Sequence, residues 1–224
     1  MKEILHVSFW MTACPNTGDD KMQFMTLTRR AALLGAAASL GGCSALSSIN
    51  EAAAPLDTYD LSPAEGAIAG RRSGQSLLVA LPNAPASVAT DRILVKPSAA
   101  AVTYLPDARW SDELPALVQS LLVRSIAGTG RMGYVGPSEA GPVPDLALLS
   151  RIDAFQVEIT GEAVTTKVDI SLSLLRDSDQ RVIKTGAFQN ELTASNDTPA
   201  AIVAAFQAIL DTLLPQMATW AVTG

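Results

Sequence analysis

Few side chains in this sequence could do covalent chemistry, and the most informative of them is Cys43. It closes the run Leu40-Gly41-Gly42-Cys43. Ahead of it, Ala31 to Gly42 carries no charge, and that stretch follows Arg29-Arg30. A thiol placed there has four chemistries open to it: a disulfide, a metal bond, nucleophilic attack, or a lipid held as a thioether. A cysteine packed in a short apolar helix is the inert alternative. The only other cysteine is Cys14 and the only histidine is His6, both upstream. Disulfide and metal partners are therefore confined to a part of the chain that a cut before Cys43 would remove. Beyond Cys43 there is no histidine, which takes away the usual general base of serine and cysteine hydrolases.

The surroundings of Cys43 favour the lipid. Two arginines followed by a short uncharged run have the proportions of an export leader, and the run is too short to span a bilayer. A leader normally ends in a small-x-small cleavage site. This one ends in Leu, two small residues and Cys, which resembles a bacterial lipobox. The residue types suit the chemistry. The thiol accepts a diacylglycerol, small residues let the backbone enter the peptidase, and the freed amino group can take a third acyl chain. Two or three chains anchor stably where one does not. Ser44 follows the cysteine at the place where Asp would resemble an inner-membrane retention signal, so the outer membrane is the expected destination. Met25 begins "MTLTRRAALLG", a compact leader in its own right, so translation could start there. The two arginines also bear a weak resemblance to a twin-arginine export signal.

Elsewhere the search for chemistry is short. No GxGxxG, Walker-type or HExxH pattern occurs. Gly128-Thr129-Gly130 suits a helix C-cap better than a phosphate loop. Asp145, Asp153, Glu158 and Asp169 are the carboxylates that could pair for acid–base work, but their spacing shows no convergence. Trp110 and Trp220 suit lids at helix ends more than ligand platforms. The expectation is no catalytic residue, no metal site and no cofactor, with Cys43 as the one modified position.

The chain has 224 residues, with 48% hydrophobic and 17% charged, enough to bury one core. Its net charge is -6. Residues 1–42 hold four basic and three acidic side chains, leaving 12 basic and 19 acidic beyond them, a net -7. An acidic body argues against a nucleic-acid partner. The expected organisation is a leader over 1–42, a lipidated N-terminus and tether over 43–58, and one domain over 59–224. "SALSSINEAAAPLDT" is small and polar, as a tether is, although Ser48 to Ala54 could form a first helix.

Within the domain, Leu77 to Leu81 predicts a strand ended by Pro82. Asp91 to Lys96 predicts another, ended by Pro97, and Ala101 to Tyr104 a third leading into Leu105-Pro106-Asp107. Ser111 is the expected N-cap of a helix, with Asp112 and Glu113 at its positive end and Pro115 in its first turn. Leu114, Leu117, Val118, Leu121 and Leu122 give that helix one buried face, and Gly128 and Gly130 end it. "RMGYVG" predicts a short strand and "PSEAGPVPD" a surface loop. Ile152 to Thr160, a turn at Gly161-Glu162, the alternating Val168, Ile170, Leu172 and Leu174, a turn at "RDSDQR" and Val182 to Thr193 predict an antiparallel meander. Thr198 caps a last helix with Pro199 first. Ile202, Val203, Phe206, Ile209, Leu210, Leu213 and Leu214 form its stripe, and Pro215 is expected to kink or restart it. The fold class is α/β (α+β): a single two-layer domain, a mixed sheet with a C-terminal meander and two main helices on one face.

With these pieces in place, the domain resembles the ABC-type transport auxiliary lipoproteins. The carriers are Tyr59-Asp60-Leu61, Asp91-Arg92-Ile93-Leu94-Val95, the run Tyr104 to Trp110 with Leu114-Pro115 after it, and Asp145-Leu146-Ala147-Leu148 running into Ile152-Asp153-Ala154-Phe155. Gln156 departs from the acidic residue that often follows in that family. The resemblance implies an α/β domain anchored in the outer membrane and facing the periplasm. It implies a part in moving lipids or hydrophobic compounds between membranes, beside an Mce-type substrate-binding protein, a permease and an ATPase on other chains. It implies no catalytic residues. An outer-membrane assembly factor or chaperone could share such an anchored body. Edge strands of a small sheet are also places where copies of the chain could associate into a homo-oligomer.

Overall fold

The computed structural model describes residues 56–223. The leader, Cys43 and the stretch Ser48–Ala54, considered above for a first helix, lie outside the described residues. Ten elements follow one another: β1 (Asp57–Tyr59), β2 (Ser76–Val79), β3 (Arg92–Ser98), β4 (Ala101–Trp110), α1 (Leu114–Gly128), β5 (Tyr134–Pro137), β6 (Leu146–Thr160), β7 (Ala163–Arg176), β8 (Arg181–Thr193) and α2 (Pro199–Val222).

β6 organises the sheet. One of its edges pairs antiparallel with β7 over its whole length, and β7 then pairs with β8. Its other edge is shared end to end by two parallel partners. β2 takes the first half, with Leu77 opposite Leu146, and β3 takes the second, with Leu94 opposite Gln156. β5 extends the sheet beyond β2; β4 and then β1 extend it beyond β3. A β-bulge at Asp153 makes this division work. Leu146, Leu148 and Ile152 face the core before it, and Phe155 and Val157 face the core after it. One inserted residue thus moves the apolar phase from even to odd positions and keeps a single buried face along the strand.

Both helices lie on that face. The expected stripes are the buried ones: Leu114, Leu117, Val118, Leu121, Leu122 and Ile126 in α1, and Ile202 through Ala221 in α2. By length and composition α2 could cross a membrane, but half of its most apolar window is packed inside the domain. At the centre, Trp110 meets Phe155 and Phe206 edge-on at 5.8 and 5.5 Å, while Phe155 and Phe206 stack at 4.7 Å. This trio ties β4, β6 and α2 together.

The helix ends separate two kinds of signal. Thr198 caps α2 as expected, accepting from the backbone of Ala201 with Pro199 behind it. Gly130, at φ +67°, terminates α1 in the left-handed region, and the Thr129 hydroxyl donates to the Ile126 carbonyl. Ser111 does not cap α1. It is drawn into the sheet, its amide bonded to the Tyr59 carbonyl and its hydroxyl to Asp60, and Glu113 becomes the N-cap without a side-chain bond. Pro215 does not restart α2, which continues to Val222. Asp211, whose carbonyl loses its amide partner to the proline, is exposed, so water can satisfy it.

Several strand limits also differ from the expected ones: β2 ends at Val79 rather than Leu81, and β6 begins at Leu146 rather than Ile152. β3 runs through Pro97, beyond its last pair with β6 and inside a register shift against β4, where a proline removes no ladder bond. β4 continues to Trp110 because Asp107, at φ 57°, absorbs an irregularity. β1 starts at Asp57, two residues before the expected domain start, and pairs parallel with β4.

Two glycines should respond with opposite sign to the same substitution. A Cβ on Gly133 would stand 2.5 Å from the Gly74 carbonyl oxygen, whereas on Gly128 the nearest atom is 3.7 Å away. Gly133→Ala should cost about 1–3 kcal/mol, as overpacking against backbone does. Gly128→Ala should gain about 0.4–1 kcal/mol by restricting the unfolded chain. Urea unfolding of the two variants checks both signs.

Candidate docking surfaces

Two of the four carboxylates weighed for catalysis, Asp145 and Asp153, bond into the framework. Asp145 accepts from the Ser76 amide at 2.8 Å and from the Ser76 hydroxyl at 2.9 Å, clamping the start of β2 to the start of β6. These bonds, the amide first, hold its carboxyl below the usual carboxylate range. Asp153, at the bulge, accepts from Arg151 at 2.6 Å and from the Ser171 hydroxyl at 2.8 Å. The Arg151 bond chiefly lowers its pKa. Asp169, opposite Ala154 on β7, adds to the field that raises the Arg151 pKa. Of the two, Asp153 bonds to the Arg151 guanidinium, while Asp169 sits further along β7, opposite Ala154. Asp153 is matched by the positive charge of Arg151. Glu158 accepts from Gln156 at 2.6 Å, away from that group. Among the described residues no three His, Cys, Asp or Glu side chains gather as metal ligands.

The depressed Asp145 pKa makes a signed prediction. A carboxyl whose native pKa lies below its unfolded value stabilises the fold above the unfolded value, and that contribution fades as pH falls through the native one. Asp145→Asn should therefore lower Tm at neutral pH, with the gap to wild type closing below about pH 4. A constant gap across the acid range would contradict the clamp.

Trp110 and Trp220 separate in role. Trp110 belongs to the core trio and is 2% exposed. Trp220 is half-buried near the end of α2, edge-on to Phe188 at 5.8 Å and under the Lys184 ammonium at 4.8 Å. Lys184 also donates to the carbonyls of Trp220 and Thr223, capping the C-terminal end of α2. Burial pulls its pKa down. Sequence reading passed over this residue; its signal is a lysine on the inward phase of β8.

Among the described residues two surfaces are left uncovered. Among the described residues β8 pairs only with β7, which leaves a 13-residue edge blunted by the register shift near Lys184 and by that inward-pointing lysine. The other is a groove of about 310 Å³ where the inner face of the sheet runs on past the start of α2. Val95, Leu105, Val157 and Ile202 form its floor, and all four are buried. Ile159 and Tyr104 stand at its mouth, 39% and 37% exposed. No periodicity signals this groove, because it arises where a helix stops short of its sheet.

A protein-family model described as "ABC-type transport auxiliary lipoprotein component" matches residues 59–218, and the chain belongs to that family. An uncharacterized protein of Bradyrhizobium diazoefficiens is 30% identical over 168 residues, 74% of this chain and 44% of that protein. The chain thus spans less than half the length of this relative. The crystal structure of protein XCC0632 from Xanthomonas campestris superposes with a TM-score of 0.67 at 23% identity, covering 74% of this chain and 95% of that one. A second crystal structure, of an uncharacterized protein, gives a TM-score of 0.58 at 15% identity over 75% of this chain and 97% of that one. These likenesses confirm the fold.

Proposed function

We propose that this chain is the membrane-anchored, non-catalytic auxiliary subunit of an ABC transport system that moves lipids or other hydrophobic compounds between two membranes. Cys43 carries the lipid, the outer membrane holds it, and the domain faces the periplasm. An Mce-domain substrate-binding protein, a permease and an ATPase are its partners on separate chains. The observation that carries this reading is the family match over residues 59–218, directly downstream of a leader that ends in Leu-Gly-Gly-Cys. The structural employment of Asp145 and Asp153 supports a role without catalysis. The outer edge of β8 is the surface offered for association between copies.

The test is capture of the affinity-tagged full-length protein from membranes in mild detergent, followed by identification of what comes with it. An Mce-domain protein and an ABC ATPase in the same complex are expected. Their absence, with an outer-membrane assembly component captured in their place, would replace this reading with an assembly role. The mass of the captured complex counts the copies of this chain.

A further inference from the structure

We infer that a further surface of this domain, where the loop over residues 66–75 crosses the segment after α1, holds the phosphate groups of anionic phospholipids. This inference rests on the membrane-anchored reading above. Beyond residue 42 the chain carries 12 basic and 19 acidic side chains, yet residues 62–76 and 128–137 together hold three arginines against one glutamate, Glu65. The fold lays these two segments side by side. The Ile68 amide donates to the Thr129 carbonyl at 3.1 Å, and the Ser73 amide to the Arg131 carbonyl at 2.7 Å. Arg71, Arg72 and Arg131 are thereby gathered. Among the described residues the ion pairs involve other arginines, and none of these three is matched by a carboxylate. Asp145, which reaches the same end of β2, gives its carboxylate to Ser76.

The loop is braced so that its donors turn outward. Arg131 donates through Nε to the Arg71 carbonyl at 2.9 Å and through Nη1 to the Ala69 carbonyl at 3.0 Å. In a trans peptide the N–H points opposite to the C=O, so the amides of Gly70 and Arg72 point away from that guanidinium. Among the described residues neither amide has an acceptor. Glycine is required at position 70: its φ is +136°, and a Cβ would stand 2.4 Å from Nη1 of Arg131. Arg72 lies across the other segment, with Nε on the Met132 carbonyl at 3.1 Å and Nη2 on the Gly133 carbonyl at 3.4 Å. Neutral carbonyls fix these two guanidiniums without cancelling their charge, and each keeps N–H donors for an acceptor from outside. Arg71 and Arg72 are exposed and Arg131 is half-buried. Around them the run Gly66-Ala67-Ile68-Ala69-Gly70 has no side chain larger than the half-buried Ile68, so a broad surface can come close. Guanidinium forks beside free backbone amides are the donor set that phosphate oxygens take. A bilayer presents such phosphates in a plane, which suits three arginines on one crossing of two loops.

The experiment places the full lipidated protein in phosphatidylcholine vesicles, with or without phosphatidylglycerol, and reads millisecond hydrogen–deuterium exchange over residues 66–73. Exchange there is expected to slow at least fivefold with phosphatidylglycerol present, and to stay unchanged when inorganic phosphate is added to the neutral vesicles. An arginine at an anionic surface contributes about 1 kcal/mol, or about fivefold, so Arg71→Gln should cut the protection by that factor. The Arg71 side chain makes no hydrogen bond among the described residues, so this variant keeps a native Tm. Arg181→Gln, at the start of β8, should change nothing. Equal exchange in the two kinds of vesicle overturns the inference, and so does protection that survives Arg71→Gln combined with Arg72→Gln. Protection by inorganic phosphate alone overturns the headgroup in favour of a free anion. Protection in neutral vesicles that appears only when captured partner proteins are added overturns it in favour of an acidic protein surface. Partner capture reads the transport assignment separately, so an unprotected loop with the transport partners present removes this inference alone.

Discussion

Trp110→Ala should lower the unfolding free energy by about 3–5 kcal/mol, the range for removing a large aromatic from a core. Trp110 is the last residue of β4 and has its edge against both Phe155 and Phe206. Those two rings are stacked nearly parallel, at 3°, and come from β6 and α2. Neither can swing into the vacated space without breaking the stack, so the cavity persists. Losing the indole also removes the wedge that holds the β4 end of the sheet against α2. Urea unfolding of a chain starting at residue 44 measures the loss, with an unchanged m-value marking it as stability rather than altered compactness. Trp110→Ala and Phe206→Ala share one cavity, so the double variant should lose less than the sum of the singles. A loss below about 1 kcal/mol for Trp110→Ala would mean that the trio is not the centre of the core. Trp220→Ala, at a half-buried site, should cost less and should free the Lys184 ammonium.

Some of this architecture is visible in the sequence because local physics alone decides it. β7 reads cleanly, since one face is wet and every second residue from Val168 to Leu174 is buried. Thr198-Pro199 and Gly130 mark helix ends through their own backbone preferences, which tertiary contacts had no reason to override. Other features depend on neighbours that no local pattern contains. β6 hides half its length from periodicity because the bulge at Asp153 reverses its phase, so "LALLSRIDAFQVEIT" alternates in two halves and not as a whole. Ser111 looks like a cap until β1 claims its amide. β1 itself is three residues long and is made a strand only by β4 beside it. The groove is legible least of all, because its existence depends on where α2 begins relative to three strands from distant parts of the chain.

Cys43→Ser should produce a protein that keeps its leader, gains no acyl mass and leaves the outer-membrane fraction. The thioether needs the sulfur as nucleophile, and serine, though nearly the same size, presents a hydroxyl that does not replace it. Each acyl methylene contributes about 0.8 kcal/mol of membrane affinity, and one chain alone holds only reversibly. The change from two or three chains to none is therefore a change from stable anchoring to a leader segment too short to span. The signal lies in Arg29-Arg30, the uncharged run from Ala31 to Gly42, and the final Leu-Gly-Gly-Cys. Intact mass and membrane fractionation of wild type and variant, side by side, give the answer. Ser44→Asp is the informative companion. It should leave the lipid mass in place and move the protein to the inner membrane, separating the anchor from its sorting. A wild-type chain that is soluble, unmodified and begins at another residue would remove the anchor altogether. The transport role would then rest on the family match over 59–218 alone.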